Sequence, residues 1–224
     1  MTIRSISLMA ALAIASMLGA AGFAQADTEY PPPSGKGPVV VVVSGQLGAA
    51  AYVPEAKQIA GLGYDVVLLD GNSMEGSHGQ KLMEAVTNAQ SLPHGTAGKV
   101  GVVGFSLGGG EALGYASRWP DLVAVVVVFY PATSGFKDLT AFAGSIKVPV
   151  LMLAGETDTY KNCCLIDNAR TLATAAAAAG TPFELITYPG VGHDFIRPGP
   201  NYNTPAATDS WQRATAKLAQ YLPH

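Results

Sequence analysis

Short unbroken apolar runs recur along this chain, separated by longer stretches in which apolar positions return every three or four residues. Val39 to Ser44 is the purest such run, five valines ending on a serine. Runs of this kind mark strands covered on both faces, because a strand with one wet face would alternate apolar with polar residues. Tyr64–Leu69, Lys99–Val103, Leu122–Phe129, Val148–Leu153 and Phe183–Tyr188 read the same way. Helices are expected between them: Pro54–Ala60 closed by Gly61, Gln80–Leu92, Glu111–Arg118, Leu165–Ala179 closed by Gly180, and Ala206–Leu222. Thr28–Pro38, rich in proline, is expected to be an exposed lead-in without structure of its own, and 71–79 a polar loop. Buried strands alternating with helices predict an α/β fold: a mostly parallel sheet of about six strands with helices on both faces. In such sheets chemistry gathers at the C-terminal ends of the strands.

The first residues carry a different signature. Arg4 supplies a positive start, Ile6–Phe23 is apolar or small throughout, and Ala24-Gln25-Ala26 reads as a cleavage site. The pattern predicts an export signal over 1–26, an extended lead-in over 27–38 and one folded domain over 39–224. The apolar run is short for a membrane span. A periplasmic or secreted protein, with no stable membrane association after cleavage at Ala26, is therefore expected. With 49% hydrophobic and 13% charged residues, the chain can bury a sizeable core. A net charge of -3 and the lack of any Lys/Arg cluster exclude a nucleic-acid partner. The four histidines are scattered and the two cysteines adjacent, so no spacing fits a metal site and neither metal nor cofactor is expected.

Chemistry concentrates at Gly104-Phe105-Ser106-Leu107-Gly108, with Gly109 and Gly110 behind it. This is a G-x-S-x-G pattern in its meaningful context: strand, sharp turn, helix. The turn would hold Ser106 at the strand tip, and the helix N-terminus would aim unpaired N–H groups at negative charge developing beside it. A serine needs a base, and the base needs a third group to orient it. His193, in the glycine-rich loop after the last strand, is the candidate base; His78, in the loop after the second strand, is a candidate substrate contact. Asp158, just after the Val148–Leu153 strand, is the candidate acid, with Glu156 its nearest rival, and Asp194 is expected to be solvated or bonded to its own loop. The chain order serine, aspartate, histidine is that of α/β-hydrolases. The oxyanion hole would take the N–H of Leu107 and a second donor from the loop after the first strand, Gln46 or its neighbour Leu47.

Lys99–Gly110, Val148–Asp158, Tyr188–Phe195 and the tail Tyr202–Ala207 running to Trp211 together resemble the dienelactone hydrolase family of α/β-hydrolases, over nearly the whole chain beyond the signal. The resemblance implies hydrolysis of a small-molecule ester or lactone without a cofactor. The best-known members use cysteine where this chain has Ser106, and carry a glutamate where Ser44 or Gly45 falls. Both departures point to a serine esterase mechanism. Members that bind a lactone carboxylate place an arginine four residues after the histidine, and Arg197 occupies that place; their second arginine has no counterpart in the shortened 71–79 segment. The same machinery would serve a thioesterase or peptidase, and a non-catalytic binding protein on this scaffold is the competing reading from another class. Cys163 and Cys164 are expected as two thiols, one of them buried, with a strained vicinal disulfide as the alternative in an oxidising compartment. Adjacent Cα atoms lie about 3.8 Å apart, below the usual ~4.4–6.8 Å of a disulfide.

Overall fold

The computed structural model describes residues 28–224, so the reading of residues 1–26 as an export signal lies outside the described residues. Seven strands form one sheet: β1 (Thr28–Tyr30), β2 (Val39–Val43), β3 (Asp65–Leu69), β4 (Val100–Phe105), β5 (Val123–Phe129), β6 (Val150–Gly155) and β7 (Phe183–Tyr188), in the order β1-β3-β2-β4-β5-β6-β7. Every pairing is parallel except β1 with β3. Helices α1 (Val53–Ala60), α2 (Gly71–Met74), α3 (Gln80–Ala89), α4 (Ser106–Gly114), α5 (Leu139–Ser145), α6 (Ile166–Ala179) and α7 (Thr204–Tyr221) connect them. This is the α/β-hydrolase fold.

The valine run of β2 explains why the sheet must be covered twice. Alternate side chains point to opposite faces. Val39, Val41 and Val43 join Leu82, Val86, Leu113 and Leu172 in a core beneath α3, α4 and α6. Val40 and Val42 join Ile59, Phe105, Phe129 and Leu218 in a second core beneath α1 and α7. All five valines are buried, and each gains about 1.5–3 kcal/mol over an exposed valine. The chain leaves β2 toward β3 on one side and returns through β4 on the other, so the crevice between the ends of β2 and β4 is the switch point where such sheets place their sites.

Three expectations need correction. Thr28–Pro38 is not wholly without structure, because Thr28–Tyr30 adds a seventh, antiparallel strand to the edge of β3. Three residues ending at a proline run are too few to show a pattern. Segment 71–79 is not all loop. Asp70 accepts from the Asn72 N–H at 2.9 Å and caps a single helical turn, α2. Helix α4 begins at Ser106 rather than Glu111, although glycine costs about 1 kcal/mol per position in a helix. Packing overrides propensity there: a Cβ on Gly108 would collide with the carbonyls of Val43 and Ser44, so only glycine lets α4 approach β2. Helix α5 was not anticipated at all; it is short and is started by Asp138, whose side chain accepts from the Ala141 N–H at 2.9 Å.

Candidate active site

Ser106 stands where β4 turns into α4, with φ of 50°, a left-handed conformation that non-glycine residues seldom adopt. A side chain on Gly104 would meet the backbone of Gly108 and Gly109. Small residues on both sides thus allow the sharp turn that presents Ser106.

His193 Nε2 lies 2.9 Å from Ser106 Oγ, and His193 Nδ1 lies 2.7 Å from Asp158 Oδ2. All three side chains are buried. The second Asp158 oxygen, Oδ1, accepts from the Tyr160 N–H at 3.0 Å, which fixes the carboxylate plane. The imidazole is held between aromatic rings: Tyr160 stacks on it at 4.6 Å and 9°, and Tyr130 meets it edge-on at 4.8 Å. Asn201 Nδ2 donates to the His193 carbonyl at 3.0 Å. The rival acid faces elsewhere. Glu156 accepts from Thr187 Oγ1 at 2.8 Å and pairs with Arg170 at 3.0 Å.

Leu107 follows Ser106 in the first turn of α4, where the N–H groups have no intrahelical carbonyl to meet. Gln46 lies in the loop after β2, and this loop is tied down. Its Oε1 accepts from Lys161 Nζ at 2.7 Å and Tyr160 Oη at 3.3 Å, and its carbonyl accepts from Asn72 Nδ2 at 3.3 Å. Gln46, Leu47, Tyr52, Ser106, Tyr160 and His193 line one cavity of about 200 Å³. A larger space of about 480 Å³ runs along α4 beyond Leu107, and Ser106 does not line it.

Two expected substrate contacts are placed differently. His78 does not line the cavity with Ser106; it lies near the charge of Glu111. Arg197 is turned inward. Its Nη1 donates to the Ala51 carbonyl at 2.6 Å and lies 3.8 Å from Glu55, its Nε lies 3.5 Å from Asp194, and its guanidinium stacks 4.3 Å over the Tyr52 ring. Burial raises the Glu55 and Asp194 carboxyls above the usual range, and the guanidinium pulls both back down. Asp194 also accepts from Tyr130 Oη at 2.9 Å, so it is bonded across to another element rather than only to its own loop. Arg197→Ala should therefore cost stability, by about 3 kcal/mol, the low end for breaking a buried pair. Urea unfolding measures it. KM values for acidic and neutral esters should move together; a rise confined to acidic esters would give Arg197 back its substrate role.

Cys163 and Cys164 form a disulfide, contrary to the expectation of two thiols. The separation rule that argued against it describes bridges between distant segments, whereas here one peptide unit closes the ring. The Cys163 carbonyl accepts from Thr133 and Ser134 N–H groups at 2.8 and 2.9 Å, which ties the dipeptide to the segment after β5. Both sulfurs lie within 4.8 Å of a His193 ring nitrogen.

Tyr52, Tyr130, Tyr160 and Asn201 escaped sequence reasoning. Tyr160 had the best available signal, standing two residues after Asp158. Tyr52 had none, since its place beside Gly45 follows from how α1 packs. Burial, the largest cause, holds its hydroxyl far above the ordinary tyrosine range.

Comparison with known proteins supplies relatives. Residues 71–222 match the model of the dienelactone hydrolase family. The "Protein usf" of Aquifex pyrophilus is 32% identical over 127 residues, which cover 55% of this chain and 52% of that protein. The carboxymethylenebutenolidase of Rhodococcus opacus is 33% identical over 130 residues, covering 54% and 50%. The chain thus spans about half the length of these relatives. Among solved structures, a protein of Klebsiella pneumoniae subsp. pneumoniae titled "Putative Dienelactone Hydrolase" shares the fold, with a TM-score of 0.76 at 24% identity over 87% of this chain and 92% of that one.

Proposed function

Since the chain belongs to the dienelactone hydrolase family, we propose that it is a carboxylic ester hydrolase working through a serine acyl-enzyme. The observation that carries this reading is the unbroken line from Ser106 Oγ through His193 to Asp158, at 2.9 and 2.7 Å. Ser106 attacks the substrate carbonyl while His193 Nε2 takes its proton, and Asp158 holds Nδ1–H so that Nε2 is free to accept. The N–H groups of Leu107 and Gln46 receive the oxyanion. His193 then returns the proton to the leaving oxygen, and a water activated by the same imidazole releases the acid.

The cavity favours a small, uncharged ester or lactone. It is narrow for an organic ligand, its walls include Tyr52, Tyr160 and Leu47 with the Asp194 carboxyl among them, and Arg197, spaced for a carboxylate, is occupied internally. The pattern over residues 1–26 supports action outside the cytoplasm.

The test pairs turnover with labelling. The protein should hydrolyse p-nitrophenyl acetate, and a fluorophosphonate should add one equivalent at Ser106, located by peptide mass spectrometry. Folded protein that neither turns over nor takes the label would sink the reading and favour the binding protein.

A further inference from the structure

At the end of the sheet opposite Ser106, three polar side chains from distant segments converge. Glu29 lies on β1, Asp65 is the first residue of β3, and His94 sits in the turn after α3. Register explains the meeting. Glu29 pairs with Val67, and residues two apart on a strand share a face, so Glu29 and Asp65 project side by side from adjacent strands. The Gly37 N–H donates to the His94 carbonyl at 3.0 Å, and this fastens the turn that brings in the imidazole.

His94 Nδ1 lies 2.8 Å from Glu29 Oε1, and one ligand atom from each of the three residues lies within 4.8 Å of the others. Asp65 is the anomaly. It is fully buried, and neither carboxylate oxygen has a hydrogen-bond partner. A buried carboxylate is normally satisfied by donors, by a cation or by a metal. Burial, with the negative charge of Glu29 adding to it, pushes the Asp65 carboxyl up to about 6. The imidazole turns its Nδ1 to Glu29, and although its charge draws the Asp65 carboxyl partly back down, it makes no hydrogen bond to the Asp65 oxygens.

We propose that Glu29, Asp65 and His94 bind a divalent transition-metal ion of the zinc class. One imidazole nitrogen with two carboxylates suits zinc, which takes mixed nitrogen and oxygen ligands, whereas calcium and magnesium prefer all-oxygen shells. Zinc holds such atoms at about 2.0–2.2 Å, hence roughly 3.4 Å from one another. To reach that spacing His94 Nδ1 and Glu29 Oε1, now 2.8 Å apart, would part slightly, and the Asp65 carboxylate, within 4.8 Å of both, would draw in. The half-exposed His94 gives the ion a route in and leaves a position for water. The bound ion would clamp β1, only three residues long, to the sheet and to the turn after α3. Its role is structural and independent of the ester chemistry.

Untagged, chelator-stripped protein should be titrated with Zn²⁺ at pH 7 by calorimetry, with Ca²⁺ in parallel. One equivalent of Zn²⁺ should bind, and Tm should rise by about 5–10 °C at a hundredfold excess over Kd. Asp65→Asn and His94→Ala should lose both effects while keeping ester turnover. His94→Ala changes a half-exposed side chain, so it decides the matter should Asp65→Asn fail to fold. Absence of Zn²⁺ binding would overturn the proposal and leave two carboxyls sharing a proton. So would binding that survives in His94→Ala, or Ca²⁺ bound as tightly as Zn²⁺.

Discussion

Ser106→Ala is expected to lower kcat for p-nitrophenyl acetate by on the order of 10⁶, the loss seen when a triad nucleophile is deleted. The fold should survive. The substitution removes one oxygen, whose bond is to His193, and an alanine carries the same Cβ through the left-handed turn. Far-UV circular dichroism and the urea midpoint should match the parent. Under the proposed mechanism some acceleration over water should persist, since the backbone N–H groups it assigns to the oxyanion, those of Leu107 and Gln46, are untouched by the substitution. Turnover within tenfold of the parent would mean that another group attacks, and that the turn at Ser106 serves only the fold.

Asp158→Asn should cost about 10⁴ in kcat. The side chain keeps its size and its acceptor toward the Tyr160 N–H. Its amide, however, would donate toward His193 Nδ1 and drive the proton to Nε2, where it blocks acceptance from Ser106. Glu156→Gln is the control. Its partners are Thr187 and Arg170, so kcat should stay within about twofold, as expected of a half-exposed pair remote from the reacting atoms. Equal losses in the two variants would mean that the 155–158 loop, rather than one carboxylate, supports the histidine.

The two carboxylates stand two residues apart on the same loop, and chain order alone favours neither with certainty. What separates them is the register of β6 with β7. It sets Thr187 beside Glu156 and leaves Asp158 at the loop tip, beneath the His193 loop. Arg197 teaches the converse. Its spacing from His193 resembles that of a substrate-binding arginine, yet spacing says nothing of direction. Here the presence of Glu55 on α1 and Asp194 beside it turns the guanidinium inward over Tyr52. Gly108 reads as part of a turn but not of the helix that starts there, because the close approach that demands a glycine is made by Val43 and Ser44, more than sixty positions upstream.

By itself the sequence determined the strands β2 to β7, the two-sided covering of the sheet and the strand-turn-helix around Ser106. These features depend on neighbours within one element, and hydrophobic periodicity and glycine placement report local constraints directly. Only the tertiary structure decided which carboxylate meets His193, where Arg197 points, that Tyr130 and Tyr160 clasp the imidazole, and that Glu29, Asp65 and His94 converge. Each of these is a relation between segments distant in the chain, set by strand register and helix docking. A one-residue change of register would move the same side chains to the opposite face.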